Sequence, residues 1–198
     1  MKKTTLSVLA ALIATPALAG NPNQGSSWQM WGLDPYIGLR GGMGYTNLNY
    51  NFNGNKESMT DFVFQGRAAM GLEMCDTVRS EIEYSLYGKA KDSATFGDQD
   101  VNVDTKLQTL LMNAYMEFGD YQIVRPFIGV GAGVGFVKVD ASNNAPSYDK
   151  TSFSAMGTMG VSFDMEMFAV DVAARYNYVD VASGLHNFGG DIGIRFMF

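Results

Sequence analysis

The sequence predicts an all-β protein, an eight-stranded antiparallel up-and-down β-barrel that crosses a membrane. Apolar and polar residues alternate strictly in eight segments of about ten to fifteen residues. The connections between these segments are alternately short and long. The chain holds 23 glycines, 13 phenylalanines and 10 tyrosines. Beyond the N-terminus, however, it has no apolar run near the about 18 residues that a spanning helix needs.

The N-terminus has the layout of a secretory signal peptide. Lys2 and Lys3 precede an apolar stretch, and the small-residue pattern Ala17-Leu18-Ala19 follows it, so we expect cleavage after Ala19. The apolar stretch, of about ten residues, is too short for the alternative of a transmembrane anchor. We therefore divide the chain into a signal peptide at 1–19, a short periplasmic segment at 20–34 and a barrel domain at 35–198.

The first four predicted strands each have one apolar and one polar face. In the second, Phe64 and Met70 lie on the side opposite Arg67, and in the third Ile82 lies opposite Glu83. A period of two residues places one face on the lipid and the other in the lumen. The four strands cover about 36–47, 61–74, 78–86 and 104–118.

The last four strands continue this alternation. The inward face of the fifth is a row of glycines at 129, 131, 133 and 135, so we expect nothing bulky to project inward from it. In the eighth strand apolar residues alternate from Phe188 to an outward-facing Phe198 at the end of the chain. These strands cover about 126–138, 151–163, 167–178 and 187–198.

The connections predict the topology. Short turns on the periplasmic side and long outer loops are typical of a transmembrane barrel, and an even number of strands leaves both termini in the periplasm. The short connections are near 75–77, 119–124 and 164–166. The long ones are about 48–60, 89–103, 139–150 and 179–187.

A soluble barrel with an apolar interior would show the same alternation. Mixed, sparse charges on the polar face, aromatic residues towards the strand ends and the outward Phe198 favour lipid on the outside. We expect interfacial aromatic girdles at Tyr36, Tyr45, Phe118, Phe163, Phe168, Tyr178 and Phe198.

The predicted inward positions carry five arginines and six carboxylates, whose charges nearly cancel. An unpaired buried charge costs several kcal/mol, so we expect a hydrogen-bonded ion-pair network. Eight strands leave an interior just wide enough for side chains, so such a network would plug the barrel and suppress conductance. The expected members are Arg40, Arg67, Glu73, Arg79, Glu81, Glu83, Glu117, Asp171, Arg175, Asp191 and Arg195.

Composition and motifs argue against several other functions. The net charge of −6 makes nucleic-acid binding unfavourable, and the single cysteine, Cys75, cannot form an intramolecular disulfide. The chain's one histidine lies in Asp180-x-x-Ser183-x-x-His186, a spacing that matches no catalytic mechanism. We therefore expect no enzyme activity, no cofactor and no metal site. For the acidic stretch at Asp92, Asp98, Asp100 and Asp104, we prefer surface solvation to cation binding.

Several short segments together resemble a known family. The segments are Tyr36-Ile37-Gly38-Leu39, Leu111-Met112-Asn113-Ala114-Tyr115, Pro126-Phe127-Ile128-Gly129-Val130-Gly131-Ala132-Gly133, Arg175-Tyr176 and the terminal Phe198. With them the sequence is similar to the small outer-membrane β-barrel proteins of Gram-negative bacteria, the opacity proteins and the OmpA and OmpX barrels. The similarity covers essentially the whole chain after the signal peptide.

The resemblance implies a location and partners. It implies export to the cell outer membrane, contact with outer-membrane lipid, and insertion by the barrel assembly machinery through the C-terminal strand ending in Phe198. We expect a structural or adhesion protein whose loops meet an extracellular ligand. The alternatives are a narrow, porin-like pore for small solutes and, less favoured, a lipid-modifying enzyme.

Overall fold

The residues that the structure describes form nine β-strands in one antiparallel sheet that closes on itself. The computed structural model describes residues 33–52, 55–75, 77–88, 90–96, 99–119, 123–141, 148–165, 167–181 and 184–198. The expected signal peptide at 1–19 and most of the segment at 20–34 lie outside the described residues. The strands are β1 Asp34–Phe52, β2 Asn55–Cys75, β3 Val78–Tyr87, β4 Ala90–Phe96, β5 Gln99–Glu117, β6 Val124–Ala141, β7 Tyr148–Met165, β8 Phe168–Val179 and β9 Leu185–Met197.

The ring has eight strand positions, because β3 and β4 follow each other along the same partner. β3 pairs with the second half of β5, and β4 pairs with its first half. Pairing of β9 with β1 closes the wall. The prediction of an eight-stranded antiparallel up-and-down barrel is confirmed.

The polarity of the two faces distinguishes a membrane barrel from a soluble one. Val130 and Met112, on the outer face, are each 68% exposed, whereas Arg175 on the inner face is 2% exposed. The apolar side chains thus face outward and the charged ones inward, the reverse of a soluble barrel. The described part of the chain contains no helix long and apolar enough to span a membrane.

The strands are staggered around the wall. Starting from Glu73 on β2, one can step from each residue to its paired residue on the next strand around the barrel. One full turn ends on β2 again, but at Val63, nearer the other end of that strand. A stagger of this kind tilts the strands relative to the barrel axis and sets the width of the interior.

The two ends of the barrel differ. At one, here called the turn end, β2–β3, β5–β6 and β7–β8 are joined by short connections, and β1 begins and β9 ends there. At the other, the hairpin end, the ladder continues well beyond the predicted strands. The pairing of β1 with β2 runs to Phe52 and Asn55. β4 and the start of β5 occupy most of the predicted loop at 89–103.

The prediction of long loops at the hairpin end is therefore wrong over most of 48–60 and 89–103, and at the ends of 139–150 and 179–187. The sequence argument depended on alternating apolar residues, which mark only the part of a strand that contacts lipid. Beyond the lipid, antiparallel partners hydrogen-bond in water without an apolar face, so the pattern ends before the strand does.

The glycine row on β6 lets the neighbouring strand fill the interior. A Cβ atom added at Gly129 would lie 2.5 Å from Cδ1 of Tyr115, and one at Gly131 would lie 2.9 Å from Cγ of Asn113. Both neighbours are buried residues of β5. Side chains of β5, with Phe127 and Met156, thus occupy the volume that the glycines leave.

Candidate functional site

The structure places all eleven predicted lumen residues on the inner face of the wall. Ten are buried, and Glu73 is partly buried near the turn end. They come from β1, β2, β3, β5, β8 and β9, so the contacts among them tie together strands distant in sequence. The candidate site is therefore the interior itself.

One group of buried ion pairs surrounds Glu83 and Glu81, two neighbouring inward residues of β3. Arg175 contacts Glu83 through two parallel hydrogen bonds, Nη1 to Oε2 at 2.9 Å and Nη2 to Oε1 at 2.5 Å. Arg40 makes a similar pair of bonds to Glu81, at 2.8 and 2.9 Å, and its Nη1 also lies 3.2 Å from Glu83 Oε2. Two-pronged arginine–carboxylate contacts fix orientation as well as supplying energy.

A second group of charges lies towards the turn end and centres on Arg195. Its Nη1 donates to Glu73 Oε1 at 2.6 Å, and its Nε lies 3.1 Å from Asp171 Oδ2. Arg79 Nε lies 2.8 Å from Glu117 Oε1, and Arg195 Nη2 lies 3.4 Å from the same oxygen. Each charge thus has an opposite charge close to it.

Two further members were missed by the sequence argument. Arg125 Nη1 lies 3.2 Å from Glu117 Oε2, and the Arg125 guanidinium also forms an ion pair with Asp164. The fifth predicted strand began at 126 and the sixth ended at 163, so Arg125 and Asp164 each fell one position outside a predicted strand. Extending the alternation by one residue would have placed both side chains inward. Among the described residues, the interior then holds six arginines and seven carboxylates.

Two tyrosine hydroxyls also converge on Glu81. Tyr36 Oη donates to Oε2 at 3.0 Å, and Tyr115 Oη donates to Oε1 at 2.5 Å. Tyr36 is 1% exposed, so its predicted place in an outer aromatic girdle is wrong. Tyr36 shares the parity of Arg40 on β1, so alternation alone would have placed it inside, where the Glu81 carboxylate accepts a hydrogen bond from its hydroxyl.

Apolar side chains gather in the interior towards the hairpin end, beyond the ion pair that joins Arg67 Nη1 to Asp191 Oδ2 at 2.5 Å. Five buried residues at the hairpin ends of the strands pack together there and are here called the apolar cap. They are Tyr87, Leu107, Val137, Val179 and Leu185. The last two fall in the predicted loop at 179–187, so the alternation of apolar and polar residues did not predict that they lie inside.

Of the residues considered for catalysis, the structure describes His186 and Asp180, and each contacts a tyrosine. His186 Nδ1 lies 2.6 Å from the hydroxyl of Tyr176, and Asp180 accepts a hydrogen bond from Tyr178 at 3.4 Å. Ser183 lies outside the described residues.

No group of three or more His, Cys, Asp or Glu residues suited to a metal ion is found in the described part of the chain. The side chains of Cys75 and of the acidic stretch Asp92, Asp98, Asp100 and Asp104 lie outside that part.

Comparison with known proteins gives a family match. The model of a family described as outer membrane protein beta-barrel domain matches residues 5–196. A curated Rickettsia conorii protein, described as a candidate adhesin, is 27% identical over 131 residues. That match covers 58% of this chain and 52% of the relative, so the chain spans about half the length of the curated relative it matches.

Solved structures agree in fold. Neisserial surface protein A superposes with a TM-score of 0.64 at 20% identity, over 83% of this chain and 97% of that one. The attachment invasion locus protein of Yersinia pestis, in complex with the heparin analogue sucrose octasulfate, has a TM-score of 0.51 at 15% identity. That superposition covers 83% of this chain and 99% of the Yersinia protein.

Proposed function

Because the chain belongs to the outer membrane protein beta-barrel domain family, we propose that it is an adhesion protein with an extracellular sheet at the hairpin end and a non-conducting, structural interior. The protein resides in the cell outer membrane, and its outward face contacts membrane lipid. The turn end faces the periplasm in this proposal. The charged interior and the apolar cap both disfavour the alternative of a narrow pore.

The open edge of β4 is the observation that carries the proposal. Up to Gly88 the wall is continuous, and Gly88 N–H donates to Phe64 O at 2.7 Å. Beyond that point β2 pairs with β1 and β4 pairs with β5, so among the described strands β4 has a partner on one side only. An open strand edge is a template for adding an extended peptide through main-chain hydrogen bonds.

The relatives support an adhesive role and help to choose its ligand. The Rickettsia relative is described as a candidate adhesin, and the Yersinia attachment protein was solved with a heparin analogue. A sulfated polysaccharide would be repelled by the net charge of −6 on this chain. An extended segment of a host surface protein matches the open edge better.

Proline substitution within β4 tests the proposal. Adjacent residues of an edge strand direct their N–H groups alternately to the neighbouring strand and to the open side, and proline removes the N–H group. Ser93→Pro and Ala94→Pro therefore remove one donor of each kind. We expect only the variant that loses the open-side donor to lose binding to immobilised fibronectin or laminin at unchanged thermal stability.

Binding by both variants at wild-type strength would contradict the role of the edge. Absence of binding by the wild-type protein to either matrix protein would contradict the proposed adhesion to host surface proteins.

The proposal includes assembly through the C-terminal strand and assigns no catalytic activity. Phe198 is 57% exposed on the outer face, and its N–H group donates to Pro35 O at 3.1 Å, where β9 meets β1. The barrel assembly machinery is the partner we propose for this strand. His186 is already engaged by Tyr176, so it is poorly placed to act as a base.

A further inference from the structure

An apolar groove lies at the turn end of the wall, where β7, β8 and β9 meet. Its volume is about 530 Å³, within the range of pockets that hold ligands or large side chains. Met167, at the turn between β7 and β8, is 77% exposed. Exposed apolar surfaces of this kind mark sites of interaction. The groove is lined by Met165, Met167, Phe168, Phe196, Met197 and Phe198.

The lining residues come from both faces of the wall. Met197 pairs with Tyr36, which is buried in the interior, so Met197 has the inward parity. Met197 N–H donates to Met167 O at 3.3 Å, and Met167 continues the inward parity of β8. Phe196 and Phe198 face outward. The groove therefore crosses the rim of the barrel. Acyl chains cover only the outward face, so they would leave the inner part of the groove in water.

The chain enters β1 beside this groove. Phe198 N–H donates to Pro35 O at 3.1 Å, so the start of β1 and the end of β9 lie side by side. The described residues begin at Leu33, and residues 20–32, here called the N-terminal segment, connect to β1 at this point. A segment tethered so close to a groove reaches it intramolecularly, at a high effective concentration that a separate partner lacks.

The composition and length of the N-terminal segment suit the groove. The segment has no charged residue, and it contains both tryptophans of the chain, Trp28 and Trp31, with Met30 between them. Tryptophan buries a large apolar area, and methionine sulfur makes favourable contacts with aromatic rings.

The N-terminal segment is also long enough to cross the groove. The far side of the groove, at Met165, is three strands from β1, or about 14 Å at the usual spacing of strands. An extended chain advances about 3.3 Å per residue, so Gln29 reaches about 16 Å from Asp34 and Trp28 reaches further. Both tryptophans can therefore enter the groove while β1 stays in place.

We propose that the stretch Trp28-Gln29-Met30-Trp31 folds back across the end of β9 and docks its two tryptophans in the groove. The indole rings pack against Met167 and Met197, the lining residues that lipid does not cover. Docking fastens the first strand to the last at the seam that closes the ring, because the segment continues from β1 and β9 forms part of the groove. The docking does not depend on adhesion at the open edge of β4.

Disulfide crosslinking tests where the segment lies. In the folded protein after signal-peptide removal, with Cys75→Ser, the change Gln29→Cys is combined with either Met165→Cys or Met74→Cys. Met165 and Met74 are both outward and 48% exposed at the turn end, but only Met165 lines the groove. Met74 lies on β2, directly beside β1, so a freely moving segment would meet it more often.

The docked segment is expected to reverse this order. A disulfide forms only when the two Cα atoms come within about 7 Å. Burial of one large apolar side chain shifts an equilibrium by about tenfold or more, so we expect at least about tenfold more crosslink to Met165→Cys than to Met74→Cys. Equal crosslinking of the two pairs, or a preference for Met74→Cys, would overturn the proposal.

Tryptophan fluorescence separates docking in the groove from burial in lipid, since the segment contains both tryptophans. In phospholipid vesicles, acrylamide quenches tryptophans that contact water, and lipids brominated on the acyl chains quench those in the bilayer. We expect the wild-type emission to be protected from acrylamide. Met167→Asp is expected to remove that protection and Met74→Asp to retain it. The crosslink ratio decides the matter if Met167→Asp fails to show heat-modifiable migration.

Two results of the quenching experiment would overturn the proposal. One is strong quenching by brominated lipid that Met167→Asp leaves unchanged, because the tryptophans would then lie in the membrane interface, where tryptophan is often found. The other is acrylamide quenching of the wild-type protein as strong as that of Met167→Asp, because the tryptophans would then lie in water.

Discussion

Arg175 on β8 and Glu83 on β3 form a two-pronged ion pair inside the barrel, although 92 positions separate them in the sequence. The Arg175 side chain is 2% exposed and that of Glu83 is fully buried. The contact joins strands on different sides of the wall, so it resists both collapse and opening of the cross-section.

Arg175→Ala is expected to lower the free energy of unfolding by about 3 to 5 kcal/mol, because it leaves the buried Glu83 carboxylate with a weaker set of partners. Equilibrium urea unfolding in lipid vesicles measures the loss. The matched change Arg125→Ala removes an arginine whose side chain is 18% exposed, and it is expected to cost less. A double replacement of Arg175 and Glu83 by methionine should recover most of the loss, and failure to do so would argue against stranded charge as the cause.

Gly129→Val is expected to destabilise the barrel by about 1 to 3 kcal/mol or to prevent folding, because the added side chain enters the space of Tyr115. Gly66→Val is the control, since a Cβ atom there meets nothing within 4 Å on the outer face. Folding yield by heat-modifiable gel migration distinguishes the two. Equal yields for the two variants would mean that the packing of the β5 side chains does not require the glycine row on β6.

Phe198→Asp is expected to reduce the amount of barrel in the outer membrane more strongly than Phe62→Asp. Both phenylalanines are exposed on the outer face, at opposite rims, but only Phe198 ends the closing strand. Immunoblotting of membrane fractions measures assembly. Equal levels for the two variants would indicate a general cost of charge in lipid and not a role of the C-terminal strand.

The wild-type protein is expected to show no stable single-channel steps in planar bilayers, because charged pairs and the apolar cap fill successive parts of the lumen. The double variant Leu107→Ser with Leu185→Ser alters only the apolar cap. We expect this variant also to show no stable steps, because the ion pairs still fill the rest of the lumen. Large, stable steps from the wild-type protein would contradict the structural role of the interior.

Protease added to intact cells is expected to cut within 142–147, between β6 and β7, while the turn at Asp76 stays protected. The expectation follows from placing the hairpin end outside. The fragment masses identify the cleavage site, and cleavage at Asp76 with protection of 142–147 would reverse the topology.

Alternation predicted the wall of the barrel well, because lipid outside and a narrow lumen inside impose a period of two on each spanning segment. It failed where that constraint ends. Arg125 and Asp164 were lost at strand boundaries, and Leu185 was assigned to a loop. Tyr36 was assigned to the outer girdle because it is aromatic, although its position in the alternation on β1 places it inside. The pairing of particular arginines with particular carboxylates depends on stagger, which a single sequence does not reveal.

The separation of partners beyond Gly88 has an evolutionary consequence. Up to that residue, each change of length in one strand would shift the register of all the others, since the wall is a closed ring. Past it, β1–β2 and β4–β5 are two hairpins that share no ladder. Either hairpin can therefore lengthen, shorten or change in sequence while the ring below keeps its geometry.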